Sequence, residues 1–269
     1  MNYHKFFAKK AKGKAKKSKK KKSVFRTILR WIGRTFLFLF LFSILLTLAY
    51  RWINPPITPL MLIRKVSDGA AIEKKWVVLE NISPHLVACA VAAEDNHFLA
   101  HRGFDFGAID KAVKERQAGK RKRGASGISQ QTAKNVFLWQ KQSWVRKGIE
   151  CYFTVLIELF WSKERIMEVY LNVIETGNGI YGCEMASQIY FHKAAKDLTL
   201  HQAALITACY PNPRKRNPSK PTSYLNTRAS QIAHLTKMIG KIKFDAESIQ
   251  KARERYEKAE RKRKAKKQP

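Results

Sequence analysis

The pattern of apolar and polar positions divides the chain into unlike parts. Eleven Lys lie between Lys5 and Lys22, mixed with Ala, Gly and Ser. Such a stretch buries too little apolar surface to offset the entropy of ordering, so residues 1–27 are expected to be a disordered basic tail. From Ile28 to Tyr50 the chain turns apolar, and Thr35 to Tyr50 holds no charge. As a helix those sixteen residues reach about 24 Å, short of a ~30 Å hydrocarbon core. Arg30, Arg34 and Arg51 can snorkel, and Trp31, Tyr50 and Trp52 suit the interfaces, so residues 28–50 predict one membrane-spanning helix. A cleaved leader fits less well, because Leu48-Ala49-Tyr50 lacks the small-x-small form of a cleavage site.

Pro55, Pro56 and Pro59 then read as a linker over residues 51–82. Ser83-Pro84 has the form of an N-cap followed by a helix start, opening a helix that ends near Glu94. Helical periodicity returns over Gln130–Leu138, Trp144–Phe160, Lys163–Asn172, Cys183–Phe191 and Leu200–Cys209, and β-branched alternation is scarce. Residues 83–245 are therefore expected to form a mainly α domain, and residues 246–269 a second basic tail.

Charge sharpens this division. Of a formal net charge of +33, residues 1–67 carry +17 without one acid and residues 251–269 carry +7, leaving +9 on the body. The extreme charge thus describes the two ends. The lysine run could serve as a nucleic-acid arm or as the charge that holds the N-terminus in the cytoplasm; its place directly before the span favours the second. The N-terminus is then cytoplasmic, and everything beyond Arg51 lies outside the cytoplasmic (inner) membrane. The four cysteines form no C-x-x-C pair, so buried free thiols are expected rather than a metal site.

Candidate chemistry is concentrated in two stretches. Residues 94–103 place Glu94, Asp95, His97 and His101 within ten positions. A metal reading fits less well, because the zincin pattern sets Glu directly after the first His and no third ligand is near. Glu94 as a general base at a helix C-terminus fits better, since both the helix dipole and burial raise its pKa. Residues 124–135 run from a Gly/Ser loop into a helix, with Gln131, Lys134 and Asn135 at i, i+3 and i+4, a constellation suited to an anion. Arg146, Lys147 and Glu150 repeat the theme one helix later.

Taken in order, Glu94-Asp95-x-x-Phe98-x-x-His101-x-Gly103, Gly124-x-Ser126-x-x-x-Gln130-Gln131, Arg146-Lys147-x-x-Glu150, Ile166-x-Glu168-x-Tyr170-Leu171-Asn172 and Ala203-Ala204-Leu205-Ile206 with Pro211-Asn212-Pro213 resemble the five motifs of the peptidoglycan glycosyltransferases. No S-x-x-K, S-x-N or K-T-G set follows, so the chain resembles the monofunctional membrane-anchored type rather than a bifunctional penicillin-binding protein. It departs from the pattern at Gly127, where Thr is usual, and at Thr176-Gly177, where Phe-Gly is usual. The missing hydroxyl either weakens donor binding or leaves its role to Ser129.

The resemblance implies a lysozyme-like fold and polymerisation of lipid II into β-1,4 glycan with release of undecaprenyl diphosphate. It implies Glu94 and Glu150 as catalytic carboxylates. It also implies Ser126, Gln130, Gln131, Lys134, Asn135 and Arg146 as donor-site residues, with Asp95 and His101 as positioning residues. Glu150 would orient Arg146 and Lys134, polarise the acceptor, or hold a divalent cation such as Mg or Mn. The implied partners are lipid II, the growing lipid-linked glycan, membrane lipids and the division or elongation machinery. No nucleic acid is expected, because no aromatic platform interleaves Lys120–Arg123. Residues 104–123, with Phe104, Phe106, Ile109 and Val113 among lysines, read as a surface dipping into lipid headgroups. The alternatives are a lytic enzyme of the same fold and a non-catalytic tethered scaffold, and sensitivity to moenomycin separates the last from an intact donor site.

Overall fold

A computed structural model describes residues 3–119 and 124–265, with side chains from residue 25 onward, Lys264 excepted. It divides at Ala49/Tyr50 into two compact units.

The first unit is one helix, α1 (Tyr3–Ala49). The expectation of disorder before residue 28 is thereby corrected: the backbone is helical from Tyr3. Lys and Ala are strong helix formers and no Pro interrupts the first 49 residues. Within α1, Phe25–Ala49 is 25 residues long with a mean hydropathy of 2.1, enough to cross a membrane. The Arg34 guanidinium lies 5.7 Å from the Trp31 ring centre, a charged group resting on an interfacial aromatic. The lysine side chains of residues 5–22 lie outside the described residues.

The second unit contains α2 (Pro59–Asp68), α3 (Pro84–Glu94), α4 (Phe106–Gln117), α5 (Ile128–Phe137), α6 (Trp144–Phe160), α7 (Lys163–Val173), α8 (Cys183–Phe191), α9 (Leu200–Cys209), α10 (Ser223–Ile239) and α11 (Ala246–Ala265). Strands β1 (Glu73–Lys74), β2 (Glu175–Gly177) and β3 (Ile180–Tyr181) form a small sheet in the order β1-β3-β2, with β1 parallel and β2 antiparallel to β3. Helices α3 and α9 are rich in small residues and buried nearly all round, so they pass through the core, where α3 packs on α9 and α10. Helix α5 packs on α6 and α7. The start signals work as capping chemistry predicts. Ser83, Ser143, Ser162 and Thr199 each accept a backbone N–H in the first turn of α3, α6, α7 and α9.

Two expected boundaries give way. Residues 51–82 are no loose linker: they hold α2 and β1, and their backbone is fastened by α7. Asn172 Nδ2 donates to Val77 O and its Oδ1 accepts from Val77 N, both at 2.9 Å, while Glu168 Oε2 accepts from Leu79 N at 3.0 Å. Arg165 donates to the carbonyls of Tyr50 and Ile53. Residues 246–265 are likewise no tail, since α11 docks on the domain through Tyr256 and Arg263. Both segments are locally polar, and their partners are far away in sequence. The four cysteines are free thiols, as expected.

Candidate active site

Burial of α3 from Leu86 to Ala92 leaves its last residue, Glu94, to emerge from the core at the wall of a cleft. Glu94 Oε2 accepts a hydrogen bond from Gln131 Nε2 at 2.7 Å, and Gln131 Oε1 accepts a long one, 3.4 Å, from the buried Tyr170 hydroxyl. Enclosure of the carboxyl by protein raises its pKa, against the opposing pull of the Gln131 hydrogen bond and of the Arg228 and Lys134 charges. This is the direction a base working near neutral pH needs.

The turn after Glu94 is fixed by buried polar groups. Asp95 Oδ1 meets His101 Nε2 at 2.8 Å, and Asp95 Oδ2 accepts from Ile128 N at 3.0 Å. Asp95 therefore caps α5 from a distance of 33 residues, where the N-cap residue Gly127 offers no side chain. A Cβ at Gly127 would collide with Asp95 Oδ2. Glycine at this position leaves room for the Asp95 cap. Ser129 does not stand in for the missing hydroxyl: it is fully buried and donates to Glu158. Lys163 Nζ donates to Glu158 Oε1 and to His101 O, both at 2.7 Å, and lies 4.6 Å from the Phe98 ring centre. Burial lowers the Lys163 pKa while Glu158 raises it. This ion pair ties the turn after Glu94 to α5, α6 and α7.

A cavity of about 190 Å³ is lined by Ser126, Gln130, Gln131, Lys134, Gln140, Gln142, Arg146, Lys147 and Glu150. Glu150 Oε2 accepts from Arg146 Nη1 at 2.7 Å and its Oε1 from Lys147 Nζ, which also donates to Ser126 Oγ at 3.1 Å. Burial lowers the Lys134 pKa, with Glu150 and then Glu94 opposing it. Arg146 Nε is buried with no protein partner. Three cationic side chains against one carboxylate make a cradle for an anion carrying more than one charge. A second cavity, about 360 Å³, takes Gly124, Ala125 and Gly127 from the segment that carries Ser126 and is lined besides by Glu94, Asn96, His97, Asp105, Lys111 and, from α11, Glu260 and Arg263.

The structure brings Glu94, Ser126, Gln130, Gln131, Lys134, Arg146 and Glu150 around one region. Asp95 and His101 stand beside it as a buried pair. Asn135 is buried on α5 and does not line the basic cavity, whose α5 wall is Gln130, Gln131 and Lys134. His97 bonds to Asp105 at 2.7 Å and does not converge with His101. Lys147, which the sequence set beside Arg146 in the same basic motif but not among the implied donor-site residues, also lines the cavity. Arg228, whose charge acts on Glu94, was missed: it lies 134 positions from Glu94 and announces itself by no local pattern. Among the described residues no three His, Cys, Asp or Glu side chains gather as metal ligands, and both Glu150 oxygens are already paired with cations. That donor set does not fit a protein-held divalent ion.

The Transglycosylase family model matches residues 61–238, more than half of the chain. The chain belongs to the transglycosylase family. It is 52% identical over 221 residues to the biosynthetic peptidoglycan transglycosylase of Bacteroides thetaiotaomicron, covering 80% of this chain and 89% of that one. It is 51% identical over 215 residues to the protein of the same description from Bdellovibrio bacteriovorus (78% and 86%), and 47% identical over 210 residues to that from Rhodospirillum centenum (78% and 91%). The transglycosylase match takes in α3, α5 and α6, and hence every candidate site residue. It begins inside α2 and stops one residue short of the end of α10, so α11 falls outside it.

Proposed function

We propose that this transglycosylase is a peptidoglycan glycosyltransferase of cell-wall synthesis that polymerises lipid II, with Glu94 as the base. The observation that carries the reading is the pairing of one enclosed, pKa-raised carboxylate with a separate cradle of Lys134, Arg146 and Lys147. The acceptor's sugar 4-hydroxyl gives its proton to Glu94 as its oxygen attacks the anomeric carbon of the lipid-linked donor. The bond from that carbon to the diphosphate breaks, and the diphosphate leaves into the basic cradle. A diphosphate needs no proton to depart, so cations and hydrogen-bond donors replace the second carboxyl acid of a glycosidase. Base and cradle act on opposite faces of the anomeric carbon, which inverts the configuration. Glu150 holds Arg146 and Lys147 in place.

The apolar part of α1 serves as a single-pass anchor in the cytoplasmic membrane, with the lysine-rich end inside and the enzyme unit outside. Helix α4 exposes Phe106 and Val113 beside Lys111 and Lys114, a composition suited to lipid headgroups, from which the substrate must come. Its basic continuation, residues 120–123, lies outside the described residues. The test is to supply labelled lipid II to detergent-solubilised wild-type and Glu94→Gln protein. Polymer from the wild type alone supports the reading, whereas a folded wild type that makes none defeats it.

A further inference from the structure

We propose that α11 is a working wall of the acceptor side of the site, in which Tyr256 and Arg263 are positioning residues for the incoming sugar; this rests on the glycosyltransferase reading above. Helix α11 begins at Ala246, beyond residue 238 where the family match stops, yet it reaches the cavity that contains Glu94.

It does so through side chains that meet the turn after Glu94 and the start of α4. The Tyr256 hydroxyl donates to Asp105 Oδ1 at 2.9 Å, and its ring centre stands 4.9 Å from that of His97. Asp105 is the N-cap of α4, accepting from Ala108 N at 2.8 Å, and its other oxygen takes His97 Nδ1 at 2.7 Å. One carboxylate therefore joins α11, α4 and His97, which lies three residues after Glu94. Seven residues beyond Tyr256, Arg263 Nη1 donates to Gly107 O at 3.0 Å while Nη2 donates to Glu260 Oε2 at 3.0 Å. A Cβ at Gly107 would stand 2.6 Å from Glu260 Oε1, so the Glu260 side chain lies against the first turn of α4. His97, Asp105, Gly107, Glu260 and Arg263 all line the cavity next to Glu94, which shares no lining residue with the diphosphate cradle. The acceptor must approach Glu94 from the side the donor's leaving group does not occupy, and that side is walled by α11. Its breadth is set by the bonds at Asp105 and Gly107. Loosening them moves α4 and His97 without touching Lys134, Arg146 or Lys147.

The full-length protein is assayed with a labelled lipid-linked glycan of fixed length as donor and lipid II as acceptor, each varied at saturating amounts of the other. Tyr256→Ala and Arg263→Ala are expected to raise the acceptor KM about tenfold with kcat within about twofold, and to leave the donor KM and moenomycin affinity unchanged. Arg263→Lys, which can still donate to Gly107 O, is expected to recover most of the loss, and the exposed Lys258→Ala to behave as wild type. Tyr256→Phe keeps the ring on His97 and loses only the bond to Asp105, so it gives a readable result even if the alanine variant folds poorly. Equal losses towards donor and acceptor, or a lowered melting temperature with both KM values unchanged, would overturn the proposal. A silent wild type would remove the glycosyltransferase reading and this proposal together, an outcome distinct from either of those.

Discussion

Glu94 and Gly127 show how single side chains set the behaviour of the site. Because the folded protein holds the Glu94 proton more tightly than the unfolded chain does, ionising that carboxyl above its raised pKa costs stability. A base must be ionised to act, so activity rises with pH through a limb displaced upward from the ordinary carboxylate range. Glu94→Gln keeps an acceptor for Gln131 and removes the charge. Turnover is expected to fall by about 10²–10⁴ while the melting temperature at neutral pH rises, and a pH–rate profile with a thermal melt checks both. Gly127→Thr, which restores the residue usual in the family, is expected to do harm. Its Cβ displaces Asp95 from the α5 cap, at a cost of about 1 kcal/mol, measurable by denaturant titration, together with a loss of activity. The residues that contact the cradle were legible in the sequence because their motifs are local. The reason for Gly127 was not, because Asp95 and Gly127 meet only after folding.

At the scale of elements, six helices follow from periodicity and caps to within about two residues at each end, because each is apolar on the face it buries. Helices α4 and α11 did not, since neither has a strong apolar stripe and both are held by polar contacts to distant residues. Two- and three-residue strands leave no alternation to read, which is why the sheet was missed and residues 51–82 looked like a linker. The buried Lys163–Glu158 pair gives this scale its prediction. Removing one partner, as in Glu158→Gln, is expected to cost about 3–5 kcal/mol, and Glu158→Gln with Lys163→Met markedly less, because the double variant strands no charge. Urea unfolding of the wild type, the two single variants Glu158→Gln and Lys163→Met, and the double variant decides it. A cost for the double variant equal to the sum of the single ones would show that the two charges do not act as a pair.

For the whole molecule, the division at Ala49/Tyr50 sets membrane attachment apart from catalysis. The apolar run was evident from hydropathy alone, as spans usually are, since a bilayer demands length and composition rather than a particular partner. A chain beginning at Tyr50 is expected to fold with an unchanged melting temperature and to be released from membranes by alkaline carbonate, which should leave the full-length protein in the pellet. Fractionation followed by immunoblotting reads the outcome. Polymerisation by the shortened chain should persist in detergent, where lipid II is dispersed and no bilayer has to be found.

A free carboxylate has two interchangeable oxygens, and the amide of Gln131 removes that symmetry. With its Oε1 turned to the Tyr170 hydroxyl, Gln131 presents only N–H to Glu94, and does so at Oε2. If Glu94 is the base proposed above, Oε1 is the oxygen left without this bond to receive the proton. Gln131 thereby makes the two oxygens of that carboxylate unlike, and turning the amide over would set its carbonyl lone pairs against those of Oε2.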